Sequence, residues 1–198
     1  MSVKSLKNES GPAQAEAYLF VEVARGADPM VVLGALSSQR IVEWDAVRDA
    51  HYGIVVHLHG ADEDSLEKQV AQLLATVAGV GDHAFVPVQQ PDLGEVAMER
   101  IQAYEEQLAG GHAGRTDEMA AAYLLVDVEQ SRLDRVYSAL YATDEVVVLE
   151  ADARNNRLVA IVQSEDFAAL RRVVSDRIRV LNGVVRILEM KVIPRDLM

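Results

Sequence analysis

The chain repeats itself. The segment Ala17-Tyr18-Leu19-Phe20-Val21-Glu22-Val23 returns as Ala122-Tyr123-Leu124-Leu125-Val126-Asp127-Val128. Further along, Leu66, Val70, Leu74, Val77, Gly79 and Val80 align at one constant offset with Leu170, Val174, Ile178, Leu181, Gly183 and Val184. Chance similarity rarely keeps register through a strand and a helix, so the sequence reads as a duplication, and any fold proposed for one copy must serve twice.

Within each copy the apolar period switches in a fixed order. Leu19, Val21 and Val23 (Leu124, Val126 and Val128 in the second copy) alternate with more polar or aromatic neighbours, which predicts a strand. A helix follows. In the first copy Asp28 serves as N-cap with Pro29 at the first helical position; in the second, Ser131 and Asp134 suggest a capping box ahead of Leu133, Val136, Tyr137 and Leu140. Apolar runs at 41–47 and 52–58, matched by 146–151 and 158–162, read as hairpins. Helical spacing returns at 65–77 and 167–181, with Ser164 as the expected cap of the second and Gly79 and Gly183 placed for a left-handed exit. A last strand runs through Val88 and through Val192.

Strand, helix, strand, strand, helix, strand predicts an α+β fold of two tandem ferredoxin-like βαββαβ modules, each with its helices on one face of a four-stranded sheet. The opposite faces would carry Tyr18, Phe20, Val55 and Phe85 in one copy and Tyr123, Leu125, Val159, Ile161 and Ile187 in the other. Such faces are too apolar for water, so the modules are expected to pack sheet to sheet as an intramolecular dimeric α/β barrel. The expected organisation is a disordered tail at 1–16, module one at 17–88, a helical linker at 89–121 and module two at 122–198. The linker has an Asp92-x-x-Glu95 capping box, an apolar stripe of Ala97, Ile101, Tyr104 and Leu108, and a glycine-rich joint at 110–114.

Composition removes several functions. A formal charge of −12 repels phosphate backbones, so direct nucleic-acid binding is not expected. The absence of cysteine excludes disulfides and thiolate chemistry and suits a reducing compartment, the cytoplasm. No stretch approaches the roughly 18 apolar residues of a spanning helix, so no membrane role is expected. The sequence holds no phosphate-binding loop, nucleophile elbow or His-Glu helix motif.

One constellation carries possible chemistry. His57 and His59 stand two apart in a strand, so both project from one face and offer a two-point metal anchor, with Glu43 on the next strand as a third ligand. The second copy has Ile161 and Gln163 there, so the fold does not require the histidines. His83 begins the fourth strand, at the far end from the pair. Trp44 reads as core. Asp62, Glu63 and Asp64 complement a helix dipole, and Arg171 and Arg172 mark a solvated face.

The Ala-Tyr-Leu-x-Val-x-Val strand, the helical Val32 to Leu36 and Val136 to Leu140 segments, and the Gly79-Val80 and Gly183-Val184 exits resemble the Lrp/AsnC effector-binding (RAM) domain. That resemblance implies barrels that assemble into larger rings and hold a small amino-acid-like effector between protomers. It makes the chain a non-enzymatic effector-binding and oligomerisation module without a helix-turn-helix. It would form homo-oligomers, act on transcription through related Lrp/AsnC regulators, and need no cofactor. The family's effector turn maps onto His51 and Tyr52 in copy one and onto Arg154, Asn155 and Asn156 in copy two. Two alternatives stand beside it: a dimeric α/β-barrel enzyme or metal or haem binder using the cavity between the sheets, and a tandem ACT-type regulator. A cavity filled by Phe20, Phe85, Tyr123, Leu125 and Ile161 would favour the structural reading.

Overall fold

The computed structural model describes residues 15–37, 43–108, 116 and 118–194. Its elements run β1 (Ala15–Val23), α1 (Pro29–Ser37), β2 (Glu43–Arg48), β3 (Ile54–Gly60), α2 (Glu63–Thr76), β4 (Val80–Gln89), α3 (Glu95–Gln107), β5 (Ala120–Val128), α4 (Leu133–Tyr141), β6 (Val146–Asp152), β7 (Arg157–Ser164), α5 (Phe167–Arg172) and β8 (Val184–Val192). The tail up to residue 14, the first residues of the 41–47 run and the joint at 110–114 lie outside the described residues. The tail expected at 1–16 is too long: β1 already includes Ala15 and Glu16.

Among the described residues, eight antiparallel strands close into a barrel in the order β1-β3-β2-β8-β5-β7-β6-β4. Closure rests on two short seams, Val47 opposite Val192 with Arg48 opposite Lys191, and Val88 opposite Asp152 with Gln89 opposite Ala151. Closing the sheet pairs its edges, which removes the exposed backbone that would recruit other strands.

Alternation along each strand sorts side chains into three cores. Ala17, Leu19, Val21, Ile54 and Val56 face outward beneath α1 and α2. Leu124, Val126, Leu158, Ala160 and Val162 do the same beneath α3, α4 and α5. Tyr18, Phe20, Val55, Tyr123, Leu125, Val159, Ile161 and Met190 fill the barrel itself. Two residues expected inside lie outside. Phe85 is opposite Leu19 and Ile187 is opposite Val126, so each joins a helix-covered core, while Val86, Leu188 and Met190 point inward. A one-residue change of register exchanges the faces of a strand, and both pairings contain an irregularity, at Val21/Val23 and at Asp127/Val128.

Helix starts follow the strongest nearby carboxylate. Asp28 accepts from Met30 N at 2.8 Å, as expected for α1. Asp62 and Ser65 form a reciprocal capping box, so α2 begins ahead of Ser65. Asp166, not Ser164, caps α5 by accepting from Ala169 N at 2.7 Å, while Ser164 stays in β7. The Ser131/Asp134 and Asp92/Glu95 boxes do not form. A 3-10 turn at Gln130–Arg132 leads into α4, and Asp134 instead accepts from Gly94 N at 3.0 Å, tying the start of α3 to α4. The linker helix docks on the second half: Ile101 is fully buried, Tyr104 donates to Asp144 at 2.6 Å and Tyr141 to Glu105 at 2.5 Å. Gly79 and Gly183 hold the expected left-handed conformations, with φ of 86° and 111°. No helix among the described residues is long and apolar enough to cross a membrane.

Candidate functional site

Continuing the inward alternation toward one end of the barrel replaces apolar side chains with ionisable ones. Inward positions run Phe20, Tyr18, Glu16 on β1 and Val55, His57, His59 on β3, and Glu43 and Glu150 arrive from β2 and β6. Register brings them level: Tyr18 and Glu43 both stand opposite His57, and Glu16 stands opposite His59. β6 reaches the same end because Asp152 pairs with Val88, which pairs with Glu16.

His57 is the centre of the cluster. Its Nδ1 lies 3.1 Å from Glu43 Oε2 and its Nε2 3.6 Å from Glu16 Oε2. His59 Nδ1 lies 3.8 Å from Glu16 Oε1. The Tyr18 ring stacks on His57 at 4.7 Å and 7°, fixing the imidazole plane. Glu150 sits within hydrogen-bonding reach of Tyr18 and of Glu16. Among the described residues, two buried atoms here have no hydrogen-bond partner, His57 Nε2 and Glu150 Oε2.

Burial disfavours the charged imidazolium of His57, but the neighbouring carboxylates of Glu16 and Glu43 outweigh it, and the pKa rises above the usual histidine value. Burial raises the Glu150 carboxyl, against the opposing effects of Tyr18 and His57. Burial, then the Glu150 charge, pushes the Tyr18 phenol well up.

The equivalent positions of the second half are built differently. Tyr123 donates to Asp45 Oδ2 at 2.6 Å, a tyrosine–carboxylate tie like that of Tyr18 and Glu150. Ile161 replaces one histidine, and Gln163 replaces the other and bonds the backbone of Thr116 at 3.0 and 2.7 Å. The ties occur in both halves, with the Tyr18 and Tyr123 rings 6.1 Å apart; the histidine cluster occurs in one.

Of the metal candidates read from sequence, the structure brings His57, His59 and Glu43 together. Glu43 contacts the Nδ1 side of His57, and Glu16 occupies the place facing both rings. Glu16 could have been found by extending the Glu16, Tyr18, Phe20 alternation one step; Glu150 comes from a distant strand and left no local signal. His83 is exposed, opposite Val21 and away from the pair. Trp44 packs against the core under α1 and α2, as expected.

The effector candidates are not brought together. Gly53 N bonds Val21 O at one end of β1, whereas the turn after Asp152 lies at the other. His51 and Tyr52 are in ring contact at 3.8 Å, with Tyr52 against Phe20. Arg154 pairs with Glu63 and Glu67 on α2 and lies over the Phe85 ring. Asn155 donates to Asp152 at 2.9 Å, and Asn156 O accepts from Val128 N at 2.8 Å.

No family model matches the chain, and no curated protein sequence matches it. Solved structures do. A chlorite dismutase from Candidatus Nitrospira defluvii in complex with imidazole is 9% identical, with 92% of each chain covered and a TM-score of 0.56. A mutant form of the chlorite dismutase from the same organism, in complex with cyanide, is 10% identical, with 91% of each chain covered and a TM-score of 0.54. An anthrone oxidase-like protein is 10% identical, with 92% of this chain and 91% of that chain covered and a TM-score of 0.56. The shared feature is the α/β-barrel fold.

These neighbours overturn the resemblance to the Lrp/AsnC RAM domain and, with it, the expected role in transcription. The strand and helix periods that carried the resemblance belong to the barrel architecture at large. The fold the neighbours share is that of the alternative reading, a dimeric α/β barrel. The expectation of no cofactor falls with the RAM resemblance, which implied it.

The side chains here do not fit a haem. A haem needs an axial ligand beside a flat cleft. The sequence has no cysteine and no histidine after residue 112. Tyr123, Tyr137 and Tyr141, the buried phenols of the second half, are bonded to Asp45, Leu149 O and Glu105. The barrel interior and both helix-covered layers are filled by buried apolar side chains. His57 and His59 already face carboxylates.

Proposed function

We propose that this barrel is an enzyme that oxidises a small, activated organic molecule at its carboxylate–histidine end. The observation that carries the reading is the pair of buried atoms without hydrogen-bond partners among the described residues, His57 Nε2 and Glu150 Oε2, in a cluster that the second half of the barrel lacks. Buried polar atoms are nearly always satisfied, so such atoms indicate a ligand or a chemical role. The anthrone oxidase-like neighbour supplies the reaction class: a CH2 group made acidic by adjoining rings and carbonyl loses a proton, and dioxygen converts it to C=O with release of water. Glu16, in contact with both His59 and Glu150, would take that proton and pass it to Glu150 Oε2. Because the middle of the barrel is packed, the molecule must lie at the mouth, against the His59 side chain, which is 39% exposed.

The same reading treats β1–β4 and β5–β8 as the two tandem ferredoxin-like modules, 17–88 and 122–198, joined by the linker at 89–121. The matching strand orders β4-β1-β3-β2 and β8-β5-β7-β6 support it. A homo-oligomer in the cytoplasm completes the proposal, supported by the barrel fold and the absence of cysteine.

The test is oxygen uptake and quinone absorbance with purified protein and an anthrone. Turnover should fall about 100-fold or more in Glu150→Gln, the usual scale for a lost acid–base group, and stay unchanged in His83→Ala. A packed interior also suits a barrel used only for assembly. No turnover above the protein-free rate across a panel of aromatic ketones would decide for that second reading.

A further inference from the structure

We infer that Glu16, His57 and His59 bind a single divalent first-row transition-metal ion. One oxygen or nitrogen from each of the three side chains lies within 4.8 Å of the others, the span from which small rotations bring three donors onto one ion. Two imidazoles and a carboxylate form a donor set suited to iron, zinc and cobalt, and three protein ligands leave positions open for water or substrate.

The protonation pattern around His57 is an independent argument. Glu43 Oε2 sits 3.1 Å from Nδ1, which makes that nitrogen the hydrogen-bond donor and turns Nε2 toward Glu16, where a metal ion would take the place of a proton. A carboxylate holding the far nitrogen of a histidine is the usual outer partner of a metal-bound imidazole. Nε2 is also the buried atom without a hydrogen-bond partner, and a metal ion would satisfy it. Glu43, expected from sequence to be a ligand, becomes the positioning residue, and Glu16 takes its place. The stacked Tyr18 ring holds the imidazole in plane. Glu150 Oε2, the second such buried atom, stands beside Glu16. In the second half, Ile161 and Gln163 replace both histidines, so the tyrosine–carboxylate framework is kept without a metal set.

This inference rests on the reading that the carboxylate–histidine end is the working site, and its test needs no turnover. Untagged full-length protein, stripped with chelator, is titrated with Zn2+ by calorimetry and with Co2+ by visible absorption. One ion per chain is expected, with cobalt d–d bands of a low-coordinate nitrogen and oxygen site and a raised melting temperature. Glu16→Gln and His59→Ala should each weaken binding about 100-fold, Glu43→Gln about 10-fold, and His83→Ala and His51→Ala not at all. His59 is partly exposed, so its variant should keep the fold, and circular dichroism checks this. Absence of stoichiometric binding, or binding unaffected in both Glu16→Gln and His59→Ala, would overturn the inference. Oxidation without bound metal would overturn the metal site alone; metal binding without oxidation would overturn the proposed activity alone.

Discussion

Replacing Tyr123 by Phe should cost the fold about 2 kcal/mol, and the reasoning can be followed atom by atom. Tyr123 donates to Asp45 Oδ2 at 2.6 Å, joining β5 to β2 across the barrel. Tyr123 is 3% and Asp45 6% exposed, so water cannot replace the lost donor. A hydrogen bond to a charged partner contributes about 1.5–3 kcal/mol, whereas an exposed ion pair such as Lys191–Asp49 contributes under about 1 kcal/mol. Asp45 keeps a further interaction, which argues against the upper end of that range. For a chain of this size, about 2 kcal/mol corresponds to a fall of about 4–8 °C in Tm. Urea unfolding and thermal melts of Tyr123→Phe, Asp45→Ala and the double variant form a cycle whose coupling should be about 1.5–2 kcal/mol. A single-variant cost below about 0.5 kcal/mol, or a coupling near zero, would refute the claim that the tie holds the halves together.

Ile101 is fully buried where α3 meets the second half, so Ile101→Ala should destabilise by about 2–5 kcal/mol in urea unfolding. Val96, on the same helix and 71% exposed, should change by less than about 0.5 kcal/mol on truncation to Ala. An alkaline titration tests the tyrosines. Burial first, then hydrogen bonds to Asp144 and Glu105, raises Tyr104 and Tyr141, while burial first, then the Glu150 charge, raises Tyr137 and Tyr18. Because the folded values lie above the unfolded phenol value of about 10, the stability these groups contribute is complete below about pH 10 and is lost as pH rises through the folded values. Most tyrosinate absorbance should therefore appear together with loss of the circular dichroism signal; simple titration of all six tyrosines near pH 10 in folded protein would contradict it.

The repeated Ala-Tyr-Leu strand, the helix exits at Gly79 and Gly183 and the alternation of Tyr18 and Phe20 could be read from the chain alone. Each depends on neighbours within one element, where the side-chain period is set by backbone geometry. His57 and His59 were legible for the same reason: two residues apart on a strand must share a face. What lay between elements was not legible. Phe85 and Ile187 face the helices because β4 and β8 pair with β1 and β5 in registers that a bulge displaces, and no local pattern records a register. Asp134 holds Gly94 instead of capping its own helix, because docking of α3 offered its carboxylate a backbone N–H. Glu150 reaches His57 only because β4 and β6 close the barrel, which brings together residues far apart in the chain. The sequence by itself determined the elements and which side chains share a face; only barrel closure decided which faces meet, and so which acids surround the histidines.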